Sequence, residues 1–481
     1  MYKEGDPTLK EQVKKVVVIG GGITGLTTTY YLQKIINEQK LPMEVILLEA
    51  THKLGGKIQT HYQDGFVIEK GPDSFLERKT SAAELATDVG LGNKLVHNTA
   101  GKAYVLVKDQ LHPMPTGAVM GIPTKIGPFL STGLFSVQGK IRAMSDFVLP
   151  RSQSGGDQSL GHFFRRRLGD EVVENLVEPL LSGIYAGDID QLSLMSTFPQ
   201  FYRVEREHRS LIWGMKKTTP TQNRLNSKTQ GKFLTLTGGL QTLVDAVEER
   251  IAPSSIIKGT KVEGIDHKGD GSYNLVLSNG ENFQADSVVV ALPHIALTEL
   301  FPNTPYFQDI KEMQATSVAT VAMAFDANDV EVTLDGTGFV VSRNSDYTIT
   351  ACTWTHKKWP HTTPDGKVLL RCYVGRASDE AVVDLSDVEI EKIVLDDLKV
   401  TMNIKAKPLF TVVTRWKNAM PQYTVGHKQR VEKMHQDVRM NLPGVFVTGS
   451  SFGGLGLPDC IDQGKQAVND VLEYLKIDVS R

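Results

Sequence analysis

The chain has 481 residues, 40% hydrophobic and 22% charged, with 53 basic against 55 acidic side chains and a net charge of −2. That length exceeds one compact core and points to roughly two to four domains. Balanced charge excludes a global pull toward nucleic acid or an anionic membrane, so an anionic ligand must be met by a local cluster. The opening MYKEGDPTLKEQVKK mixes both charge signs without an apolar core, unlike a signal peptide, and no run of about 18 apolar residues is present to span a bilayer. The three cysteines, Cys352, Cys372 and Cys460, show no metal-ligand spacing, and their sparse, odd count fits a reducing, cytoplasmic compartment.

In chain order, residues 1–60 read as a βαβ unit: a buried strand at 16–19, a helix over 24–38 and a second strand over 44–48 that ends at Glu49. Residues 81–205 read as mostly helical, with Leu160, Phe163, Phe164 and Leu168, then Val173, Leu176, Val177, Leu180 and Leu181, at helical spacing. Within that segment 113–135 is rich in Pro and Gly and reads as apolar loops, able to mouth a flat ligand or rest on a membrane. The run Arg165–Arg167 reads as a solvated helix face, and 216–232, with five basic and no acidic residues, as a solvated loop. A helix follows in GGLQTLVDAVEERI, then two short strands joined through glycine turns, and 287–291 has the apolar run of a central parallel strand. From 315 to 416 short strands dominate and suggest an antiparallel sheet, interrupted by a helix with Ile390, Ile393, Val394 and Leu398 on one face. The end, NLPGVFVTGSSFGGLGLPDCIDQGKQAVNDVLEYL, returns to strand, glycine-rich loop and helix.

The fold class expected is α/β combined with α+β. A discontinuous Rossmann-like domain takes 1–80, 237–300 and 417–481. A mostly helical domain, one reading of which faces a membrane, takes 81–205. An antiparallel-sheet substrate domain takes 206–236 and 301–416.

The spacing Gly20-x-Gly22-x-x-Gly25 has a physical logic. The first glycine allows a tight turn, the second lets backbone approach a pyrophosphate, and the third permits close helix–strand packing, while the helix N-terminus offers free N–H groups. Glu49 stands 24 residues after Gly25 at a strand end, where an acid binds ribose hydroxyls and disfavours the 2′-phosphate of NADP. NAD and FAD remain. A second glycine turn, Gly55-Gly56, flanked by Lys53 and Lys57, tilts the choice to FAD by offering a basic cover for the pyrophosphate.

Taken together, Gly20-Gly21-Gly22-x-x-Gly25, Glu49 and Lys53-Leu54-Gly55-Gly56-Lys57 resemble the GG-doublet flavoproteins, which include amine oxidases, phytoene desaturases and protoporphyrinogen oxidases. That family usually has arginines where this chain has Lys53 and Lys57; lysine keeps the charge but loses the bidentate fork. GPDSFLERK (71–79), LHPMP (111–115), the stretch 163–188 ending in GIYAGD, and GLPDCIDQGK (456–465) narrow the likeness to the porphyrinogen oxidases. The wording is nearest the Gram-positive branch, which resembles coproporphyrinogen III oxidases more than protoporphyrinogen oxidases.

The resemblance implies FAD held by Gly20, Gly21, Gly22, Ile23, Thr24 and Gly25, by Glu49 and Ala50, by Lys57, by Gly71, Pro72, Asp73 and Ser74, and by Val262, Trp416, Leu455, Gly456 and Leu457. The flavin is expected to be noncovalent, because AMPQYTVGHKQR (419–430) has no cysteine to tether it. No acid–base dyad and no metal cluster stands out, which suits hydride removal by the flavin N5; the resemblance implies three two-electron steps, with oxygen returning as hydrogen peroxide. Substrate propionates call for basic residues: Lys79 first, Arg78 second, with Tyr373 lining the pocket. Expected partners are a porphyrinogen and molecular oxygen, with a transient ferrochelatase contact, at most peripheral membrane contact and no nucleic acid. The other readings are a protoporphyrinogen IX oxidase and, after it, an amine oxidase with Trp416 and Tyr423 as its aromatic cage.

Overall fold

Residues Val16 to Ile19 form an apolar run that both faces of a strand can bury only inside a parallel sheet, and the computed structural model places the strand Lys14–Ile19 there. The structure describes residues 13–152, 155–219, 230–302, 304–330 and 332–477. Five parallel strands stand in the order Ile256–Lys258, Met43–Glu49, Lys14–Ile19, Ser287–Val290 and Val445–Val447. Val17 sits between Ile46 on one neighbour and Val288 on the other, which fixes the register.

One face of this sheet is covered by the helix Ile23–Gln39 and by the C-terminal helix Leu457–Tyr474, whose buried residues share a core with Leu26, Val45 and Leu47. The two helices approach closely at Gly464, where a Cβ would stand 2.7 Å from the Thr24 carbonyl oxygen. Thr28 Oγ1 donates to the Gly464 carbonyl at 3.2 Å across the same contact. The other face meets an antiparallel sheet of Val262–His267, Tyr273–Leu277 and Asn282–Ala285. The sequence reading allowed two strands there; the third has only Phe283 and Ala285 to mark it.

A second large sheet has seven strands, in the order Phe410–Pro421, Ala315–Asp326, Lys367–Val374, Ile349–Trp354, Gly338–Val341, Ala103–Val107 and Gln110–Pro113. One face is buried beneath the helix Asp387–Met402, which begins with a capping box between Ser386 and Glu389. The hairpin 103–113 belongs to this sheet, although the sequence reading placed it in the helical segment. Its turn is made by Lys108 and Asp109 at φ 49° and 62°, without the Asn-Gly pair that usually announces such a turn. The loops expected over 113–135 contain a short pairing of Ala118–Val119 with Ile122–Pro123 and the helix Ile126–Ser131. Of the basic stretch 216–232, the helix Leu211–Thr218 and the strand Gln230–Leu236 take the two ends, and 220–229 lie outside the described residues.

The helical segment is organised around Phe163, Phe164 and Phe201, with ring centroids 5.2 and 5.1 Å apart. Here the expectation of a solvated Arg165–Arg167 face is corrected. Arg167 is fully buried and ion-paired with Glu205 and with Asp146, both fully buried too. Asp146 accepts from Ser210 Oγ at 2.6 Å and Ile212 N at 2.9 Å, and Glu205 Oε1 accepts from Ser152 N and Oγ at 2.7 Å. The cause is helical geometry: Arg167 follows Phe163 by four residues and so shares its inward face. Among the described residues no helix is long and apolar enough to cross a membrane.

Removing one partner of a buried charge cluster strands the others. Arg167→Met is expected to cost about 3–5 kcal/mol, against about 1 kcal/mol or less for Arg165→Ala at the protein's rim. Thermal unfolding of both variants checks this; equal losses would show that Arg167 carries no special share of the stability.

Candidate active site

Three glycines open the site, and the fold needs only two of them for itself. Gly20 lies at φ 104°, where a side chain is strained, and donates its N–H to the Leu48 carbonyl at 2.8 Å. A Cβ on Gly25 would stand 1.9 Å from the Gly20 carbonyl oxygen. A Cβ on Gly22, by contrast, would meet nothing within 4 Å. Gly22 therefore leaves room for something other than protein, at the N-cap of the helix Ile23–Gln39, where Ile23 and Thr24 are buried and the N-cap residue offers no side chain to the first-turn N–H groups.

The second glycine turn docks on the first. Gly55 N donates to the Gly21 carbonyl at 2.8 Å, and Gly22 and Gly55 form an isolated parallel bridge. Gly55 and Gly56 adopt φ 105° and 57°, which glycine alone takes freely. Glu49 stands at the lip, its two oxygens accepting from Gly21 N at 2.7 Å and Thr51 N at 2.8 Å. Ala50 is exposed beside it, and Thr260 N donates to the Glu49 carbonyl at 3.0 Å, which brings the strand of buried Val262 to the same edge. Two docked glycine turns beside a helix N-terminus, with the Glu49 carboxylate at their edge, fit a dinucleotide pyrophosphate and its ribose. Lys53 is exposed.

A second group gathers around Gly71, where a Cβ would stand 1.8 Å from the Lys57 carbonyl oxygen and 3.6 Å from Trp416 Cζ2. Trp416 Nε1 donates to the Lys70 carbonyl at 2.9 Å. Arg371 donates to the Gly71 carbonyl, and its guanidinium lies 5.0 Å from the centre of the Tyr373 ring, two residues along the same strand face. The Lys57 ammonium donates to the Ala419 carbonyl, and burial pushes its pKa below the ordinary lysine value. Pro72 and Ser74 are half-buried. The Asp73 carboxylate is engaged elsewhere, with Lys358 Nζ at 2.7 Å and Trp359 Nε1 at 3.3 Å. Burial raises its pKa, but Lys358 and Arg371 outweigh that and hold the carboxyl below its usual range.

The third group forms at the N-terminal end of the C-terminal helix. Leu455 is half-buried there, the N-cap Gly456 is exposed, and Leu457 is buried. Lys79 Nζ lies 2.5 and 2.7 Å from the two oxygens of Asp459, in the first turn of that helix. Arg78 is exposed. Tyr185, from GIYAGD, meets Tyr423 with ring centroids 5.5 Å apart, and Gln422 Nε2 donates to the Tyr185 carbonyl at 2.9 Å. Tyr423 Oη donates to the Ser450 carbonyl at 2.6 Å and accepts from Gly454 N at 2.9 Å. GIYAGD is thus braced against the loop that launches the helix.

Sequence reasoning picked Lys79 and Tyr373 for substrate, and Tyr423 only for an amine oxidase cage, but not Asp459, Arg371 or Tyr185. The glycines flanking Asp459 were the one available signal, since single acids and tyrosines have no period to betray them.

A family model described as flavin containing amine oxidoreductase matches residues 23–472. The chain is 59% identical to the coproporphyrinogen III oxidase of Bacillus subtilis (strain 168), over 96% of this chain and 98% of that one. It is 45% identical to the coproporphyrinogen III oxidase of Staphylococcus aureus (strain NCTC 8325 / PS 47), over 96% of this chain and the whole of that one. A crystal structure from Exiguobacterium sp. 255-15, provisionally named a protoporphyrinogen oxidase, superposes with a TM-score of 0.86 at 38% identity, covering 96% of this chain and 99% of that one.

Beside the second group, Glu69 closes the hairpin Thr60–Gln63/Phe66–Glu69 onto the helix Gln241–Arg250, accepting from Leu240 N at 2.6 Å and Thr60 Oγ1 at 3.0 Å. Burial pushes its carboxyl up to about 7, against the opposing pull of those hydrogen bonds and Arg371. A folded pKa above the unfolded value gives stability that is full below the unfolded pKa of about 4.5 and is lost as pH rises through about 7. Glu69→Gln is therefore expected to gain on the wild type by the order of 1 kcal/mol between pH 5 and pH 8. Thermal midpoints at both pH values check this; a constant difference between the two proteins contradicts it.

Proposed function

The chain belongs to the flavin-containing amine oxidoreductase family, and on that premise we propose that it oxidises coproporphyrinogen III to coproporphyrin III in haem biosynthesis. The observation that carries this reading is the convergence of the GPDSFLERK, GIYAGD and GLPDC segments: Lys79 pairs with Asp459, and Tyr185 packs on Tyr423, whose hydroxyl accepts from Gly454 N in the loop before the last helix. Relatives named coproporphyrinogen III oxidase at 59% and 45% identity, over nearly the full chain, support the substrate.

The residues fit FAD. The backbone of Gly20–Gly25 and Gly56 would hold the pyrophosphate, Glu49 the ribose hydroxyls, and Ala50 and Val262 the adenine. Lys57, Gly71–Ser74, Trp416 and Leu455–Leu457 would surround the ring system. Bound there, flavin supplies a two-electron acceptor for each of three dehydrogenations and passes the electrons to oxygen, which leaves as hydrogen peroxide. Cofactor binding is noncovalent in this reading. All three cysteines are buried, and burial pushes the Cys460 thiol up to about 11, which leaves little thiolate to form a tether.

The chain's own residues bind and orient. Tyr185, Tyr373 and Trp416 offer aromatic walls to a flat macrocycle, and Lys79 meets a propionate. Protons from pyrrole N–H groups pass to water, since no side-chain base is required to hold them. The positive end of the helix Leu457–Tyr474 favours negative charge near its N-cap Gly456.

Protoporphyrinogen IX is the runner-up substrate, favoured by the 38% identical structure. The amine oxidase reading is weaker for a geometric reason. Tyr423 would serve in its aromatic cage, yet its ring stacks on His427 at 4.0 Å and its hydroxyl is spent on Ser450 and Gly454. Two partner readings accompany the proposal for a cytoplasmic enzyme: product transfer to a ferrochelatase, and peripheral membrane contact through exposed Val137, Ile141 and Val148. Coelution with a ferrochelatase and cosedimentation with anionic vesicles test them, and a negative result removes the corresponding reading.

Under anaerobic conditions coproporphyrinogen III is expected to bleach the flavin absorbance faster than protoporphyrinogen IX does. The reverse order overturns the substrate, and no bleaching by either overturns the reaction. Acid precipitation is expected to release the yellow cofactor into the supernatant; colour retained in the pellet contradicts noncovalent binding.

A further inference from the structure

Lys79 is the residue assigned to a substrate carboxylate, yet its ammonium is already held by both oxygens of Asp459, at 2.5 and 2.7 Å. The pair is half-open to solvent, with side-chain exposures of 41% and 27%. An ion pair so placed contributes little to stability, so holding the fold together is a weak reason for its position. The surrounding backbone makes room for the acid. A Cβ on Gly456 would stand 2.5 Å from Asp459 Oδ2, and one on Gly454 would stand 2.8 Å from its Cβ. Two glycines in the launching loop thus let a carboxylate occupy this spot, facing Lys79.

We propose that Asp459 is the resident counter-ion of the substrate-carboxylate site: it fills Lys79 in the free enzyme and yields it to a propionate of the porphyrinogen. The inference rests on the assignment of Lys79 to substrate. An anion that binds Lys79 must displace Asp459 or share the ammonium with it, so affinity for carboxylates is lower than an unpaired lysine would give. When the tetracarboxylate product departs, Asp459 returns, and a half-buried ammonium is never left without a partner. Asp459 therefore sacrifices ground-state affinity and eases product release. The same carboxylate raises the Tyr185 phenol, after the larger effect of burial, which puts its charge within reach of the GIYAGD segment.

The test uses FAD-loaded protein and two stable probes, coproporphyrin III and its tetramethyl ester, with affinity read from quenching of porphyrin fluorescence. Asp459→Asn is isosteric and removes the competitor: it is expected to tighten coproporphyrin III about 3- to 10-fold and to leave the ester unchanged. Lys79→Met is expected to weaken coproporphyrin III about tenfold. The double variant is expected to match Lys79→Met alone, because without the ammonium there is nothing to compete for. Asp459→Ser repeats the test without the amide, and FAD content and thermal midpoint verify that each variant is folded. If Lys79→Met leaves affinity unchanged, the assignment of Lys79 fails. If Lys79→Met weakens binding but neither Asp459 variant tightens it, the counter-ion role alone fails. Equal tightening of the ester also overturns it, since the effect would then owe nothing to carboxylate competition.

Discussion

The site depends on one close contact, the crossing of the first and last helices at Gly464. Only a residue without a Cβ lets the C-terminal helix reach Thr24 and share the apolar layer of Leu26, Ile461, Val468 and Val471. That contact draws together segments more than 400 residues apart in the chain. It sets the first turn of the last helix, with Leu457 and Ile461, in one apolar layer with Ile23 at the start of the first, and Lys79 and Tyr423 are then bonded to that turn and the loop before it. The large inserted segments between can each grow their own core without disturbing the cradle, because the parallel sheet is completed by strands from both ends.

Within the cradle, constraints divide cleanly between fold and ligand. Gly20 and Gly25 are required by the protein's own atoms, whereas Gly22 is spared by them, which leaves it free for the cofactor contact proposed above. The seven-stranded sheet divides its two faces in a similar way. Leu370 and Cys372 face the core beneath the helix Asp387–Met402, while the alternate residues Arg371 and Tyr373 face the Gly71 group. One strand therefore anchors the seven-stranded sheet on one face and carries Arg371 and Tyr373 to the Gly71 group on the other.

Sequence patterns revealed the parallel-sheet half of the molecule because two strong signals coincide there: apolar runs that demand a buried parallel strand, and glycines at spacings with a geometric purpose. The hairpin 103–113 was hidden because Ala-Tyr-Val-Leu-Val has no alternation and its turn residues are a lysine and an aspartate. Arg167 was misplaced for a different reason: three consecutive arginines suggest a wet surface, although helical spacing from Phe163 already pointed the third inward. Asp459 and Tyr423 were beyond reach of periodicity. Their roles come from contacts across hundreds of residues, with Lys79 in one case and with Tyr185 and Gly454 in the other.

In the function proposed above, both ends of the chain build a single FAD site through the Gly464 contact. Equilibrium titration of FAD into folded apo-protein, wild type against Gly464→Val, is the decisive measurement. A side chain there is expected to displace the C-terminal helix and weaken FAD by about tenfold or more, with circular dichroism showing the fold retained. A folded Gly464→Val protein that binds FAD as tightly as wild type would contradict it.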